Sequence, residues 1–425
     1  KKRQDCEQNS NPAKNLFKDG EIVTENLHGP QGHILHFYED LDMKIHDFQE
    51  MISSFLEAKI GHIEEKIDGQ NLTFTVRDGK VETFSKGATW TTIQKGGKKL
   101  SDYESLYANK PDLKNSFVKS YKSLQFVVDS HPNLSSKLFK NGSVVIETQM
   151  VIANTKNLVV YEKDAIVFVK AFNLNPTFNG NVDLEAYHDF LRVCKNANTD
   201  IKICEVPVLK LKKSDLSESI KKELFSDLDA ILSLADVGIS DTIGDLIVGL
   251  LHQRLVKEGM SSHLAKRIAT RIGKDQKSAF TAKDGERAGF LIWEKVKFME
   301  ENYFLEETII PLERILQKLS IHVFKNCDFS LSSNVINSNN ETVAFVKKAR
   351  QSFIKNKIIA DKKQLRIIEV SLKRIEKEEE FEKPVEGIVF EWKGKLRKLT
   401  GLFSPINKII GLFVYGKSPA KFSNF

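Results

Sequence analysis

The spacing of apolar residues changes period twice along this chain, and that change most narrows what the chain can fold into. Over residues 62–90 the period is two. His62–Ile67 reads as one strand, and Leu72–Val76 with Val81–Phe84 reads as a hairpin about Asp78-Gly79, a pair that supplies the positive φ such turns demand. Strand patterns return at Ser143–Glu147, Leu158–Tyr161 and Ala165–Leu174, and Asn175-Pro176 closes that block. From about 213 to 382 the spacing is helical, over Leu216–Leu234, Ile243–Lys257, His263–Ile272, Ala288–Tyr303, Thr308–Leu319 and Val343–Lys377. Pro384 stops the last of these. Glu386–Trp392 and Leu396–Leu399 then form another hairpin about a Lys-Gly-Lys turn. Strand sequence on both sides of a long helical stretch predicts an α+β fold: a core of antiparallel sheets with flanking helices, plus a large all-α insertion.

This pattern sets the expected organisation. Residues 1–33 are a polar, turn-rich, flexible lead-in. Residues 34–212 are the first part of the core, 213–383 the helical insertion, and 384–425 the returning core strands. Apolar residues from Ile45 to Leu56 predict a helix that Gly61 ends, and 100–140 reads as helical and connective. With 41% hydrophobic and 28% charged residues, the chain can bury a core and is not a disordered tail. Four scattered cysteines do not make a disulfide scaffold or a zinc site. No apolar run reaches the roughly 18 residues of a membrane span, and the polar start does not read as a signal peptide. The expectation is a cytoplasmic protein with no membrane partner, or one packed in a particle. A net charge of +7 permits a polyanionic partner without requiring one.

The stretch that carries chemistry is Glu65-Lys66-Ile67-Asp68-Gly69-Gln70-Asn71. A lysine at a strand end, two residues before an aspartate and just ahead of a glycine turn, is a candidate covalent nucleophile. Its surroundings must lower the ammonium's affinity for its proton before it can attack. Gly69 would let the backbone come close to a phosphate. Taken alone, the same residues read more plainly as a surface hairpin with an ordinary lysine.

The order of the motifs downstream decides between these readings. Ser85-Lys86-Gly87 comes within about twenty residues. Val144-Val145-Ile146-Glu147 is a strand ending in glutamate, and Ile166–Phe172 is an apolar strand with aromatic residues. Glu386-Gly387-Ile388-Val389-Phe390 and Leu396-Arg397-Lys398-Leu399 close the series. In this order the motifs resemble the covalent nucleotidyltransferase superfamily of ATP-dependent RNA and DNA ligases and mRNA capping enzymes, over residues 60–175 and 384–403. The Lys-x-Asp-Gly of that family is Lys66-Ile67-Asp68-Gly69 here. Asn71 stands where DNA ligases and capping enzymes carry arginine, which makes the chain more similar to RNA ligases. The layout looks like the ligase-like proteins of large tailed bacteriophages. Three features depart from the pattern: Lys86 replaces the commoner arginine, Ile146 precedes Glu147 where glycine or Asp-Gly is usual, and the helical stretch is far longer than in a minimal ligase.

The resemblance implies a ligase-type nucleotidyltransferase core that uses ATP with Mg²⁺ or Mn²⁺. Lys66 would take AMP and pass it to a 5′-phosphate, for sealing to a 3′-hydroxyl on RNA or DNA ends. Lys398 would steady the α-phosphate, and Lys86 would lie near ribose or phosphates. Glu386 would hold the metal, with Asp68 orienting Lys66 or a metal-bound water. Glu65, Asn71 and Glu147 would complete the nucleotide contacts. Phe168 or Phe172 would sandwich the adenine, both on one strand face because i and i+4 share parity. Arg397, on the opposite face from Lys398, would be structural. The alternatives are a DNA ligase, an adenylyltransferase acting on a protein or small molecule, or a structural phage component with a ligase-like core.

Lys266, Arg267, Arg271 and Lys274 crowd one helical segment, His263–Lys274, whose apolar face is expected at Leu264, Ile268 and Ile272. They make either a track for nucleic-acid phosphates or an ordinary solvated face. Trp293, Phe298 and Tyr303 read as core residues.

Overall fold

The computed structural model describes residues 34–84, 89–108, 111–153, 159, 161–177, 181–274, 308–329 and 385–401. It is a mixed α+β protein. Its helices are α1 (Ile45–Leu56), α2 (Trp90–Gln94), α3 (Leu100–Leu106), α4 (Pro111–Ser130), α5 (Pro132–Phe139), α6 (Leu184–Asn196), α7 (Ser217–Ala235), α8 (Ile243–Lys257), α9 (Ser262–Lys274) and α10 (Ile310–Lys325). Its strands are β1 (Ile63–Lys66), β2 (Gln70–Arg77), β3 (Lys80–Phe84), β4 (Val144–Val151), β5 (Ala165–Asn173), β6 (Lys202–Glu205), β7 (Gly387–Trp392) and β8 (Lys395–Leu399). No described helix is long and apolar enough to cross a membrane.

The chain forms two compact units. One holds 68–153 and 163–206, and the other holds mainly Ile34–Ile67 and the described residues from Pro207 onward. The first unit is built on a five-stranded sheet of order β3-β2-β4-β5-β6. Asp78 and Gly79 both have positive φ, as the expected β2–β3 turn needs. Leu72, Phe74, Ile146, Met150, Ile166 and Phe168 send side chains to one face, where α4, α5 and α6 cover them. α6 and β6 lie beyond Asn175-Pro176, where the strand block was expected to close. Asp183 caps α6 by accepting from the Ala186 N–H at 2.9 Å, and the chain returns as β6 parallel to β5. Half of the expected strand at Leu158–Tyr161, residues 158 and 160, falls outside the described residues.

The second unit is built on a three-stranded antiparallel sheet, β1-β7-β8. Its apolar face shares one core with α1, α7, α8, α9 and α10, so the described helices of 213–383 pack with the strands from both sides of that stretch. Thr242 and Asp245 cap α8 reciprocally. α1 ends five residues before Gly61, at Leu56, because Ala58 turns left-handed at φ +55° and the Lys59 N–H donates back to the Ser54 carbonyl at 2.7 Å. The expected helices Ala288–Tyr303 and Val343–Lys377, with Trp293, Phe298 and Tyr303, lie outside the described residues.

Candidate active site

The three-stranded sheet brings together residues that are far apart in sequence. Lys66 lies opposite Gly387, while Glu64, Val389 and Lys398 form the next row on the same face. Partners across antiparallel strands share a face. Ile63, Glu65, Ile388, Phe390, Arg397 and Leu399 therefore point the other way. Glu65 is only 1% exposed on that core side, so alternation points its side chain away from that of Lys66.

The Lys66 ammonium donates to the Glu386 carboxylate, and the two form a half-buried ion pair. Gly387 makes the approach possible. It has φ +150°, and a Cβ there would lie 2.2 Å from the Leu399 carbonyl oxygen. Only glycine lets β7 lie this close to β8 while holding Glu386 at its start. The second carboxylate oxygen of Glu386, Oε2, is buried and accepts no hydrogen bond among the described residues. A hard, anionic oxygen of this kind fits a divalent cation of the Mg²⁺ type, which keeps several waters and binds few carboxylates. Among the described residues no three His, Cys, Asp or Glu side chains cluster to hold a metal unaided.

Lys398 is 8% exposed. Burial pushes its pKa down to about 8. The carboxylates of Glu39 and Glu386 oppose that shift, and the charge of Lys66 adds to it. Arg397 points to the core side, is 3% exposed, and is ion-paired with Asp40. His62 and Glu64 share a hydrogen bond of 2.8 Å beside these residues.

In the five-stranded unit, the sheet face away from α4–α6 carries Asn71, Thr73, Glu147, Gln149, Lys170 and Phe172. Asn71 Nδ2 donates to Glu147 Oε1 at 3.3 Å. Burial raises the Glu147 pKa, and Lys170, its partner across the strands, pulls it back in part, as does Asn71. Lys170 and Gln149 were not singled out from the sequence. The alternation of Glu147 and Gln149 with Ile146, Thr148 and Met150 was the available signal.

The expected pairing of Phe168 and Phe172 does not hold. A bulge between rows Glu147↔Lys170 and Thr148↔Phe168 leaves Val169 without a partner, and it reverses the parity of everything before it. Phe168 is fully buried against Phe74 and Phe190. Phe172 is on the opposite, polar face, packed beside Val145 and Trp90, with the Lys170 ammonium 4.4 Å from its ring centre. Of the two, only Phe172 lies on the polar face.

Asp68, in the link that follows β1 in sequence, is half-buried. A Cβ on Gly69 would meet the Gln149 side chain at 3.0 Å and the Met150 carbonyl at 3.1 Å, so in this structure its lack of a side chain serves contact with β4. Lys86 lies outside the described residues. Lys266 and Arg267 are exposed on α9, whose buried positions are Ala265, Ile268 and Ala269, while Leu264 is exposed. Arg271 and Lys274 fall within the bounds of α9, but their side chains are outside the described residues.

No protein-family model matches this chain, and no curated protein matches it at a significant level.

Proposed function

We propose that this protein is an ATP-dependent, RNA-ligase-like nucleotidyltransferase that carries AMP on Lys66. One observation supports the reading above the others. The lysine of Lys-Ile-Asp-Gly and the glutamate of Glu-Gly-Ile-Val, 320 residues apart, are ion-paired on adjoining strands. A second buried lysine, Lys398, stands on the same face. On this reading the strands belong to a ligase-type core, and the helices of 213–383 are an elaboration of it.

In the reaction proposed, Lys66 Nζ gives up one proton, for which Glu386 Oε1 is the adjacent acceptor. The nitrogen then attacks the α-phosphorus of ATP. An N–P bond forms, the bond from the α-phosphorus to the bridging oxygen breaks, and pyrophosphate leaves with the electron pair. The second ammonium proton passes to solvent, leaving a phosphoramidate. Such transfers depend on positioning and on neutralised charge more than on covalent help. Lys398 supplies a fixed positive charge from a buried position. Glu386 Oε2 would hold a Mg²⁺ ion, which would polarise the phosphate oxygens. Asn71, Glu147 and Phe172, on the polar sheet face of the first unit, are nucleoside contacts on the resemblance alone. The acceptor would be a 5′-phosphate end of RNA, in a cytoplasmic setting, and Lys266 and Arg267 would give a backbone-reading surface.

Intact-protein mass spectrometry after incubation with ATP or GTP and Mg²⁺ or Mn²⁺ tests the chemistry. The expected result is a gain of one AMP, removed by pyrophosphate and absent in Lys66→Ala. No gain with either nucleotide after pyrophosphate stripping would overturn the reading. Transfer from the preformed adenylate to nicked RNA, nicked DNA or protein then identifies the acceptor.

A further inference from the structure

Consecutive strand residues point to opposite faces, so the adjacent cations Arg397 and Lys398 of β8 cannot be served from one side of the sheet. A short strap, residues 35–40, runs along the outer edge of β8. Leu35 bridges to Arg397, and the Lys398 N–H donates to the Leu35 carbonyl at 3.2 Å. The strap then turns through a 3-10 segment, Phe37–Glu39. Phe37 anchors it by stacking on Phe390 with ring centres 5.7 Å apart. The strap ends in two adjacent acids, Glu39 and Asp40. Asp40 takes the Arg397 side, paired with that guanidinium and with Lys395 at 3.7 Å. Glu39 accepts from the His36 N–H at 2.6 Å, which fixes its carboxylate.

We infer that the strap is a positioning device in which Glu39 holds the Lys398 ammonium toward the Lys66 face while Asp40 anchors Arg397 behind it. Glu39 is thus a positioning residue that acts through Lys398. Asp40 serves Arg397 on the core side, and the inference gives its neighbour Glu39 the next cation, Lys398, on the other. The burial of Lys398 calls for a counter-charge, since a buried ammonium without one is costly, and Glu386 is already engaged by Lys66. Glu39 is also the opposite charge with the largest influence on Lys398.

The role of the strap in catalysis rests on the function proposed above, whereas its hold on Lys398 does not, and the experiment separates the two. Wild-type protein, Glu39→Gln and Glu39→Asp are labelled with a limiting amine-acylating reagent, and the Lys398:Lys395 labelling ratio is read by mass spectrometry. Glutamine keeps the acceptor for the His36 N–H, so the strap stays folded. In Glu39→Gln the ratio is expected to rise by about threefold or more, because a tethered ammonium is released, while Glu39→Asp stays near wild type. An unchanged ratio in Glu39→Gln overturns the inference whatever the enzyme does. The same variants are then assayed for AMP uptake at varied ATP. Glu39→Gln is expected to slow the maximal rate about tenfold, the effect of losing one charge-assisted contact. Its ATP concentration dependence should change little, and Glu39→Asp should recover most of the rate. A shift in ratio without labelling of the wild type by AMP leaves the strap standing and sinks the ligase reading. A shift in ratio with an unchanged rate confines the strap to holding Lys398 and overturns its catalytic role.

Discussion

Glu147 is a carboxyl group whose environment favours its proton. Burial raises its pKa above the ordinary value, and Lys170 and Asn71 return only part of that shift. The folded state therefore binds a proton in a pH window just above the ordinary glutamate range, where the unfolded chain has released it. Stability contributed by this group is present below the window and is lost as pH rises through it. Glu147→Gln keeps the shape and an acceptor for Asn71 while removing the ionisation. The variant is expected to be more stable than wild type at pH 7, with a flatter stability profile between pH 4 and 7, as urea unfolding across that range would measure. The residues around Lys66 differ in how readable they are. Lys66, Glu386 and Lys398 can be picked out because motif order selects them, whereas the shared face of Lys66 and Lys398 comes from the β1–β7–β8 register. Glu39 and Asp40 cannot, because their partners are more than 350 residues away and a pair of adjacent acids is common on any surface.

Elements were legible where periodicity was strong. The β2–β3 and β7–β8 hairpins and helices α7, α8 and α9 lie within a few residues of where their patterns put them. The misses have physical causes. The bulge at Val169 adds one residue without a glycine or proline to mark it, and it exchanges the faces of Phe168 and Phe172. The left-handed Ala58 stops α1 with a residue type that does not favour that conformation. β6 has four residues, and its parallel pairing leaves no hairpin turn to announce it. The pairing of β7 with β8 depends on Gly387. Gly387→Ala would force a Cβ into the Leu399 carbonyl, from a φ that L side chains rarely adopt. The expected cost is about 2–4 kcal/mol, from strain and overlap together. Chemical denaturation would measure it, and the Lys66–Glu386 pair should be lost with the register. A variant as stable as wild type would show that the two strands part at that point without penalty.

At the scale of the whole molecule, the two units have opposite relations to the chain. Residues 68–206 contain all five strands of one sheet and the helices that cover it. A fragment of 68–206 is expected to unfold in a single cooperative transition, followed by circular dichroism, and to take up no AMP because it lacks Lys66. A non-cooperative profile would show that this sheet needs residues from elsewhere. The other unit is split, with β1 and α1 early and β7 and β8 late.

The split also governs the order of events during synthesis. Lys66 leaves the ribosome 320 residues before Glu386, an interval of roughly 20–60 s at ordinary elongation rates. During that time the five-stranded sheet can complete itself, while β1 waits without its neighbour strand and α1 without the helices of its core. Pairings this distant in sequence form slowly and late. Nascent chains that terminate before residue 387 would thus contain Lys66 with neither its strand partner nor the second lysine of that face. On the function proposed, translation through β8 becomes the condition for a chemically competent Lys66, and products that stop short of it are expected to be inert.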